Sequence, residues 1–167
     1  GPSQNEREFM RWLEDHWIPL EFTGLARLWI GRRNPDFRVP GQKKVVELTQ
    51  KSCFTNKRRP RTLHGYGREA AIHYLAKGWQ VLIVWKKELR CRVPEELAVV
   101  LRAFASPESH WSGAWRYDRL LVFDGLSGRF VSTTSVVRQL KPSRPPASSS
   151  TIVRTGSAPA CRRSCSR

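Results

Sequence analysis

The chain has 167 residues, and its 30 Lys and Arg against 14 Asp and Glu give a formal charge of +16 at pH 7. This length can bury one sizeable hydrophobic core, so we expect one compact domain. A domain this basic usually binds a polyanion, and nucleic acid is the leading candidate. There is no run of 18 apolar residues, so we expect neither a membrane span nor a membrane partner.

The four cysteines do not suggest a metal or disulfide framework. They form no CxxC pair, and no secretory signal precedes them, so we expect neither a zinc finger nor structural disulfides. The pattern fits a reducing, intracellular setting, namely the cytoplasm. The cysteines are Cys53, Cys91, Cys161 and Cys165.

The first element predicted in chain order is a helix. Ser3 is a plausible N-cap with Glu6 three residues later, the spacing of a capping box, and Glu8 follows in the first turn. Pro19 marks the end of this segment, and the range 21–30 is ambiguous between a strand and an irregular segment. The apolar stripe at helical spacing consists of Phe9, Trp12, Leu13 and, at its end, Trp17.

Residues 34–49 predict a β-hairpin that turns at Pro40-Gly41. Asp36 lies on the hairpin before the turn, and Glu47 interrupts an otherwise apolar second strand, where a charge is costly unless a cation meets it. Two carboxylates brought together by a hairpin can hold Mg²⁺ and leave positions open for water and phosphate. The alternative is that both acids are surface charges on an ordinary hairpin.

A basic loop is predicted after this hairpin. The loop has no acid between residues 51 and 68. A basic segment beside a metal site could bind the backbone of a nucleic acid. The simpler interpretation is that the charges form a solvated surface. His64 lies at its end among glycines, which would let a ligand approach the backbone. A helix is expected from about Arg68 to Lys77, ended by Gly78. The candidate DNA contacts of the loop are Lys57, Arg58, Arg59 and Arg61.

The run 79–85, WQVLIVW, predicts a buried, parallel central strand beside the hairpin strand. Pro94 then suits the first position of another helix. Together these elements predict an α/β fold with a mixed β-sheet flanked by helices. We expect a core at 1–105, a β-hairpin extension at 106–140 and a basic, disordered tail at 141–167.

The extension at 106–140 is predicted to contain two strands joined by the turn 124–128. Arg116, Arg119 and Arg129 could contact phosphate or guanine in DNA, and sealing of a sheet edge is an equally good alternative.

At this point the sequence resembles a known nuclease branch. Glu6 in an N-terminal helix, the PDF at 35–37, the KVVELT strand and above all GWQVLIVWKKEL are similar to the very-short-patch-repair-like branch of the PD-(D/E)XK nucleases. The pattern is closest to that of homing endonucleases with an EDxHD motif. The resemblance covers residues 5–104 and implies a restriction-endonuclease-like core and a Mg²⁺-dependent DNA endonuclease.

The resemblance also implies roles for individual residues. The metal-binding aspartate falls on Asp36, the helix glutamate on Glu6 or Glu8, and the catalytic histidine on His64. Thr49 matches a threonine near the metal site. Glu69 is the candidate for the last acid of the motif. The chain departs from the wider superfamily at Glu47-Leu48-Thr49, where a lysine usually follows the acid, and it lacks the tandem histidines and zinc cysteines of the repair enzymes.

This residue set suits phosphodiester hydrolysis. Mg²⁺ held by Asp36, Glu47 and Glu6 would neutralise the phosphate oxygens. Histidine side chains exchange protons near neutral pH, so His64 can act as general base or acid. Lys43 and Lys44 are candidates to clamp the scissile phosphate, although solvated strand ends are an alternative.

We therefore expect a site-specific endonuclease acting on double-stranded DNA. Cutting both strands with one active site per chain requires either a homodimer or two sequential visits. A non-catalytic nucleic-acid-binding module on a decayed nuclease core is the alternative, since the lysine is missing. An RNA-binding protein is a third hypothesis, and it rests on charge alone.

Overall fold

The computed structural model describes residues 1–49, 62–85, 95–116 and 119–132, and within them the chain has an α/β fold. Seven strands of this part form one mixed sheet in the order β1 to β7, accompanied by three helices. This confirms the predicted α/β class with a mixed sheet and helices. The elements are α1 (Gln4–Asp15), β1 (Glu21–Phe22), β2 (Phe37–Arg38), β3 (Lys44–Thr49), α2 (Leu63–Leu75), β4 (Gln80–Trp85), α3 (Glu95–Ala105), β5 (Gly113–Arg116), β6 (Arg119–Asp124) and β7 (Arg129–Ser132).

Several predictions fall on other parts of the chain. The four cysteines, the basic loop residues Lys57, Arg58, Arg59 and Arg61, Pro94 and the tail at 141–167 lie outside the described residues. In the part that is described, every helix is too short or too polar to cross a bilayer.

The predicted capping box of α1 is confirmed. The Ser3 hydroxyl accepts from the Glu6 amide at 3.3 Å, and the Glu6 carboxylate accepts from the Ser3 amide at 2.5 Å. Phe9 and Leu13 form the buried face of the helix. Trp17 does not belong to that stripe: it follows the C-cap with a φ of 53° and is 90% exposed.

Both predicted hairpins are present. β2 pairs antiparallel with β3, with Phe37 opposite Val46, and β6 pairs antiparallel with β7 across the predicted turn. The turn at Pro40-Gly41 needs glycine, because Gly41 has a φ of 72°. β4 pairs parallel with both β3 and β5, so the prediction of a central parallel strand is also confirmed. β5, β6 and β7 therefore continue the sheet that contains β3 and β4.

Alternate residues of the central strands enter two hydrophobic cores. Val46, Leu82 and Val84 face a core that includes Phe9 of α1 and Leu101 of α3. On the other face, α2 packs on the sheet through Ala70, Ala71 and Tyr74, against Val45, Val81 and Ile83. Strands buried on both faces explain why 79–85 is continuously apolar rather than alternating.

Helix α2 begins five residues before the start that we predicted. Gly65 and Gly67 suggested a loop, but the Thr62 hydroxyl accepts from the Gly65 amide at 3.0 Å and caps a helix that starts at Leu63. Gly67 is buried, and a Cβ there would lie 3.0 Å from the Phe130 ring, so a glycine is needed for close packing rather than for a loop. His64 consequently lies in the first turn of α2.

Lys44 caps the carboxyl end of α3. Its ammonium group donates to the carbonyls of Phe104 (3.0 Å) and Ser106 (2.6 Å) and to the Ser109 hydroxyl (2.7 Å). All three N–H groups are thus used, and the residue is only 4% exposed. Burial lowers the pKa of Lys44, against the opposing effect of Glu108. This corrects the prediction that Lys44 clamps a phosphate.

Replacing Lys44 by Met should therefore destabilise the fold without affecting DNA affinity. The substitution keeps most of the side-chain volume and removes the three hydrogen bonds that the buried ammonium group donates, at a cost of roughly 2 kcal/mol. Lys43→Met is the matched control, because Lys43 is exposed. Urea denaturation of both variants measures the difference, and equal stabilities would contradict the capping role.

Candidate functional site

The carboxyl ends of β3, β4 and β5 define one edge of the sheet, which we call the carboxyl edge. Thr49 and Trp85 end β3 and β4 as a registered pair, and Arg116 ends β5. Asp36 lies at the same edge, because β2 runs antiparallel to β3 and begins one residue after Asp36. Ligands of open α/β sheets bind outside the carboxyl ends of the strands, so this edge is the candidate site.

Asp36 is fixed by three short hydrogen bonds. Its Oδ2 accepts from the Leu48 amide at 2.7 Å, across the hairpin. Its backbone carbonyl accepts from the amides of Thr23 (2.7 Å) and Gly24 (3.1 Å), which closes the connection between β1 and β2. The carboxylate is half-buried, and its position follows from the register of the hairpin.

Glu47 is buried on the α2 face, where protein groups surround its carboxylate. Tyr74 donates to Oε1 at 2.5 Å, and Tyr66 donates to Oε2 at 3.4 Å. The guanidinium of Arg33 forms an ion pair with Oε1 at 3.5 Å and stacks on the Tyr66 ring at 5.3 Å. Arg33 is therefore the cation that was expected beside the buried carboxylate of Glu47.

The electrostatics of this cluster show how strongly its members interact. Burial, together with the neighbouring charge of Glu47 and the hydrogen bond to it, raises the pKa of Tyr74 far above its ordinary value. Burial alone would lower the pKa of Arg33, but Glu47 and Tyr66 raise it overall. The cluster thus keeps a charged Arg33 beside Glu47 and a neutral Tyr74 at ordinary pH.

Two buried polar groups at the carboxyl edge have no hydrogen-bond partner in the part of the chain that the structure describes. These are the Thr49 hydroxyl and the Trp85 indole N–H, which belong to the registered pair that ends β3 and β4. The residues are 1% and 7% exposed. Because buried polar groups are nearly always hydrogen-bonded in native proteins, such a pair calls for a partner beyond the described residues, either in the rest of the chain or in a bound ligand.

Cationic and titratable side chains lie around Trp85. The guanidinium of Arg116 is 4.9 Å from the Trp85 ring centroid. The His64 ring is 6.3 Å from the rings of both Trp85 and Phe130. His64 is exposed, since it projects from the first turn of α2, which lies at this edge.

The acids predicted on α1 do not join this group. Glu6 is engaged in the capping box, and Glu8 accepts from the Gln4 side chain at 2.9 Å. Glu69 is exposed on α2. Within the described residues no three His, Cys, Asp or Glu side chains come together as a metal-binding group.

The described residues that were predicted to contact DNA lie at three places. Arg116 and Arg119 form a registered pair at the carboxyl edge. Arg129 pairs with Asp124 at the turn of the β6–β7 hairpin. Lys43 precedes β3 at the opposite edge of the sheet, and β3 spans about 17 Å, so Lys43 cannot clamp a phosphate held at Asp36.

Sequence reasoning did not identify Arg33, Tyr66, Tyr74 or Trp85 as site residues. The spacing of Tyr66, Ala70 and Tyr74 is four residues at each step, which places them on one helix face. The sequence prediction misses this helical spacing because it starts the helix at about Arg68, after Tyr66. Trp85 was recognised only as part of a buried strand.

This chain matches no family model, no curated protein and no solved structure.

The Glu47 cluster predicts a loss of stability at alkaline pH. An unfolded tyrosine loses its proton near pH 10, whereas folded Tyr74 keeps it. The stabilisation that Tyr74 contributes is therefore fully present below about pH 10. Above that pH the free energy of unfolding should fall by about 1.4 kcal/mol for each pH unit, because the unfolded state binds fewer protons. Tyr74→Phe should show a smaller slope in urea titrations between pH 9 and 11. Equal slopes in the two proteins would contradict the raised pKa.

Proposed function

We propose that this chain is a Mg²⁺-dependent endonuclease of duplex DNA, with a restriction-endonuclease-like core and its site at the carboxyl edge. The observation that carries the proposal is that Asp36 and the Thr49 hydroxyl, which has no hydrogen-bond partner among the described residues, belong to the same edge of the sheet in a strongly basic chain. A carboxylate and a hydroxyl are hard oxygen ligands. Mg²⁺ is commonly held by one or two carboxylates together with substrate phosphates and water.

Only some of the predicted metal ligands are placed so that they could bind Mg²⁺. Asp36 and Thr49 fit by chemistry and by position, because both supply oxygens at the carboxyl edge, where Asp36 is half-buried and Thr49 is buried. Glu47 does not fit, since its oxygens are bonded to Tyr74, Tyr66 and Arg33. Glu6 does not fit either, because it caps α1. When bound, Mg²⁺ would neutralise charge on the phosphate oxygens.

The other residues of the edge bind and orient the substrate in this proposal. Arg116 and Arg119 attract the DNA backbone, and Trp85 fixes the direction of Arg116 by stacking. His64 exchanges a proton with the attacking water or the leaving 3′ oxygen. Cleavage of both strands requires two copies of the chain or two binding events.

One observation favours the second candidate, a DNA-binding module without catalysis. Glu47, which the superfamily pattern assigns to the metal, is instead neutralised by Arg33 within the protein. A chain that had lost hydrolysis would keep such a structural ion pair and its basic surface.

Asp36→Asn separates the two candidates. The asparagine carbonyl can still accept from the Leu48 amide, so the hairpin keeps its hydrogen bond and loses only the negative charge. We expect the rate of Mg²⁺-dependent plasmid nicking to fall at least about 100-fold, while DNA affinity and thermal stability stay near wild type.

Asp15→Asn is the matched control, because Asp15 is exposed at the end of α1 and should have no effect. Nicking by Asp36→Asn at the wild-type rate would place the site elsewhere. Wild-type protein that binds duplex DNA and does not nick it with Mg²⁺ would establish the second candidate.

His64→Phe tests the proton-transfer role without removing the aromatic ring beside Trp85 and Phe130. The cleavage rate should fall by roughly 10²- to 10⁴-fold, with little change in DNA affinity. His110→Phe is the control, because His110 is exposed on the segment between α3 and β5. Single-turnover nicking kinetics measure both. A fully active His64→Phe would reduce His64 to a packing role.

A further inference from the structure

A second surface lies beside Asp36 and is not used in the reaction. It is formed by residues 24–33, here called the 24–33 loop, within the connection from β1 to β2. β1 pairs antiparallel with β2, and the connection leaves and re-enters the sheet at the carboxyl edge. The loop is therefore a neighbour of the candidate site.

Hydrogen bonds from Asn34 hold the loop in one conformation. Its side-chain oxygen accepts from the Ala26 amide at 2.9 Å, and its side-chain nitrogen donates to the carbonyls of Thr23 (2.9 Å) and Leu28 (2.6 Å). On the α2 side, the loop is anchored by buried Ile30, whose carbonyl is 2.7 Å from His73 Nε2. A loop fixed at these points has little conformational entropy left to lose on binding.

The backbone of this loop is strained at two exposed residues. Leu25 and Ala26 have φ values of 60° and 64°, in the left-handed region that residues with a Cβ rarely adopt. Strain of this kind persists only where surrounding contacts enforce it, and it is concentrated at functional sites. Here Asn34 enforces it.

The strained turn displays apolar and cationic side chains together. Leu25 is 57% and Trp29 59% exposed, and Arg27 and Arg32 are exposed between and beside them. The loop contains no acid. Its partner must therefore offer negative charge together with apolar surface, and duplex DNA offers both through its phosphates and the sugars and base edges of its grooves.

We propose that the 24–33 loop is a DNA-contacting element that positions the duplex against Asp36. Arg27 and Arg32 contact phosphates, while Leu25 and Trp29 pack on the sugars and bases of a groove. This inference rests on the proposed function for the identity of the polyanion. It assigns the loop to binding rather than to cleavage.

The test compares the affinity of the full chain and its variants for a fluorescent 30-base-pair duplex. Trp29→Ala should weaken binding about tenfold, because the apolar contact of the indole ring with the groove is lost. Trp29→Phe should restore most of it. Trp17→Ala is the matched control: Trp17 is also an exposed tryptophan, but it follows α1, which packs against the opposite face of the sheet. Its affinity should equal that of the wild type.

Salt dependence gives an independent readout. Arg32→Gln should reduce the slope of log affinity against log salt by about one unit, as expected when one phosphate contact is removed. Wild-type slope and affinity in both Trp29→Ala and Arg32→Gln would overturn the loop assignment and leave the proposed function intact. An equal loss in Trp17→Ala would also overturn it. Absence of duplex binding by the wild type would instead refute the proposed function, and the loop inference with it.

Discussion

The ion pair and hydrogen bonds of Glu47 connect the parts of the molecule on which the site depends. Glu47 lies on β3, Tyr66 and Tyr74 on α2, and Arg33 at the end of the 24–33 loop. A buried carboxylate without these partners would be strongly destabilising. The Glu47 side chain therefore links the 24–33 loop, α2 and β3 to one another. Through these links, Asp36, His64 and the loop are kept at the same edge of the sheet.

The sequence predicted the elements that local patterns determine. The capping box of Ser3 and Glu6, the turn at Pro40-Gly41 and the two hairpins depend on residues close in the chain, and all of them are present. The strand 80–85 was recognisable because burial on both faces leaves it uniformly apolar.

The features that were missed depend on distant residues. Lys44 resembles an exposed strand end, yet it reaches residues about 60 positions later and caps α3. The need for a cation at Glu47 was evident from the sequence, but the identity of that cation was not, because Arg33 is brought to it by the tertiary fold. The early start of α2 was not predicted, because Gly65 and Gly67 suggested a loop and the N-cap at Thr62 was not recognised. The proposed roles of Asp36, His64 and Thr49 remain predictions, supported by their common position at the carboxyl edge.

The topology of the sheet has a consequence for how the site forms during folding. The hairpins β2–β3 and β6–β7 join neighbouring residues, whereas the parallel pairs β3–β4 and β4–β5 close crossovers of about thirty residues. Contacts between residues so far apart in sequence carry a larger loop-closure entropy and form late. The carboxyl edge is built from those parallel pairs, so it comes into existence only when the central sheet does. The backbone positions of Thr49 and Trp85 at this edge are therefore set by the same parallel pairing that builds the centre of the sheet.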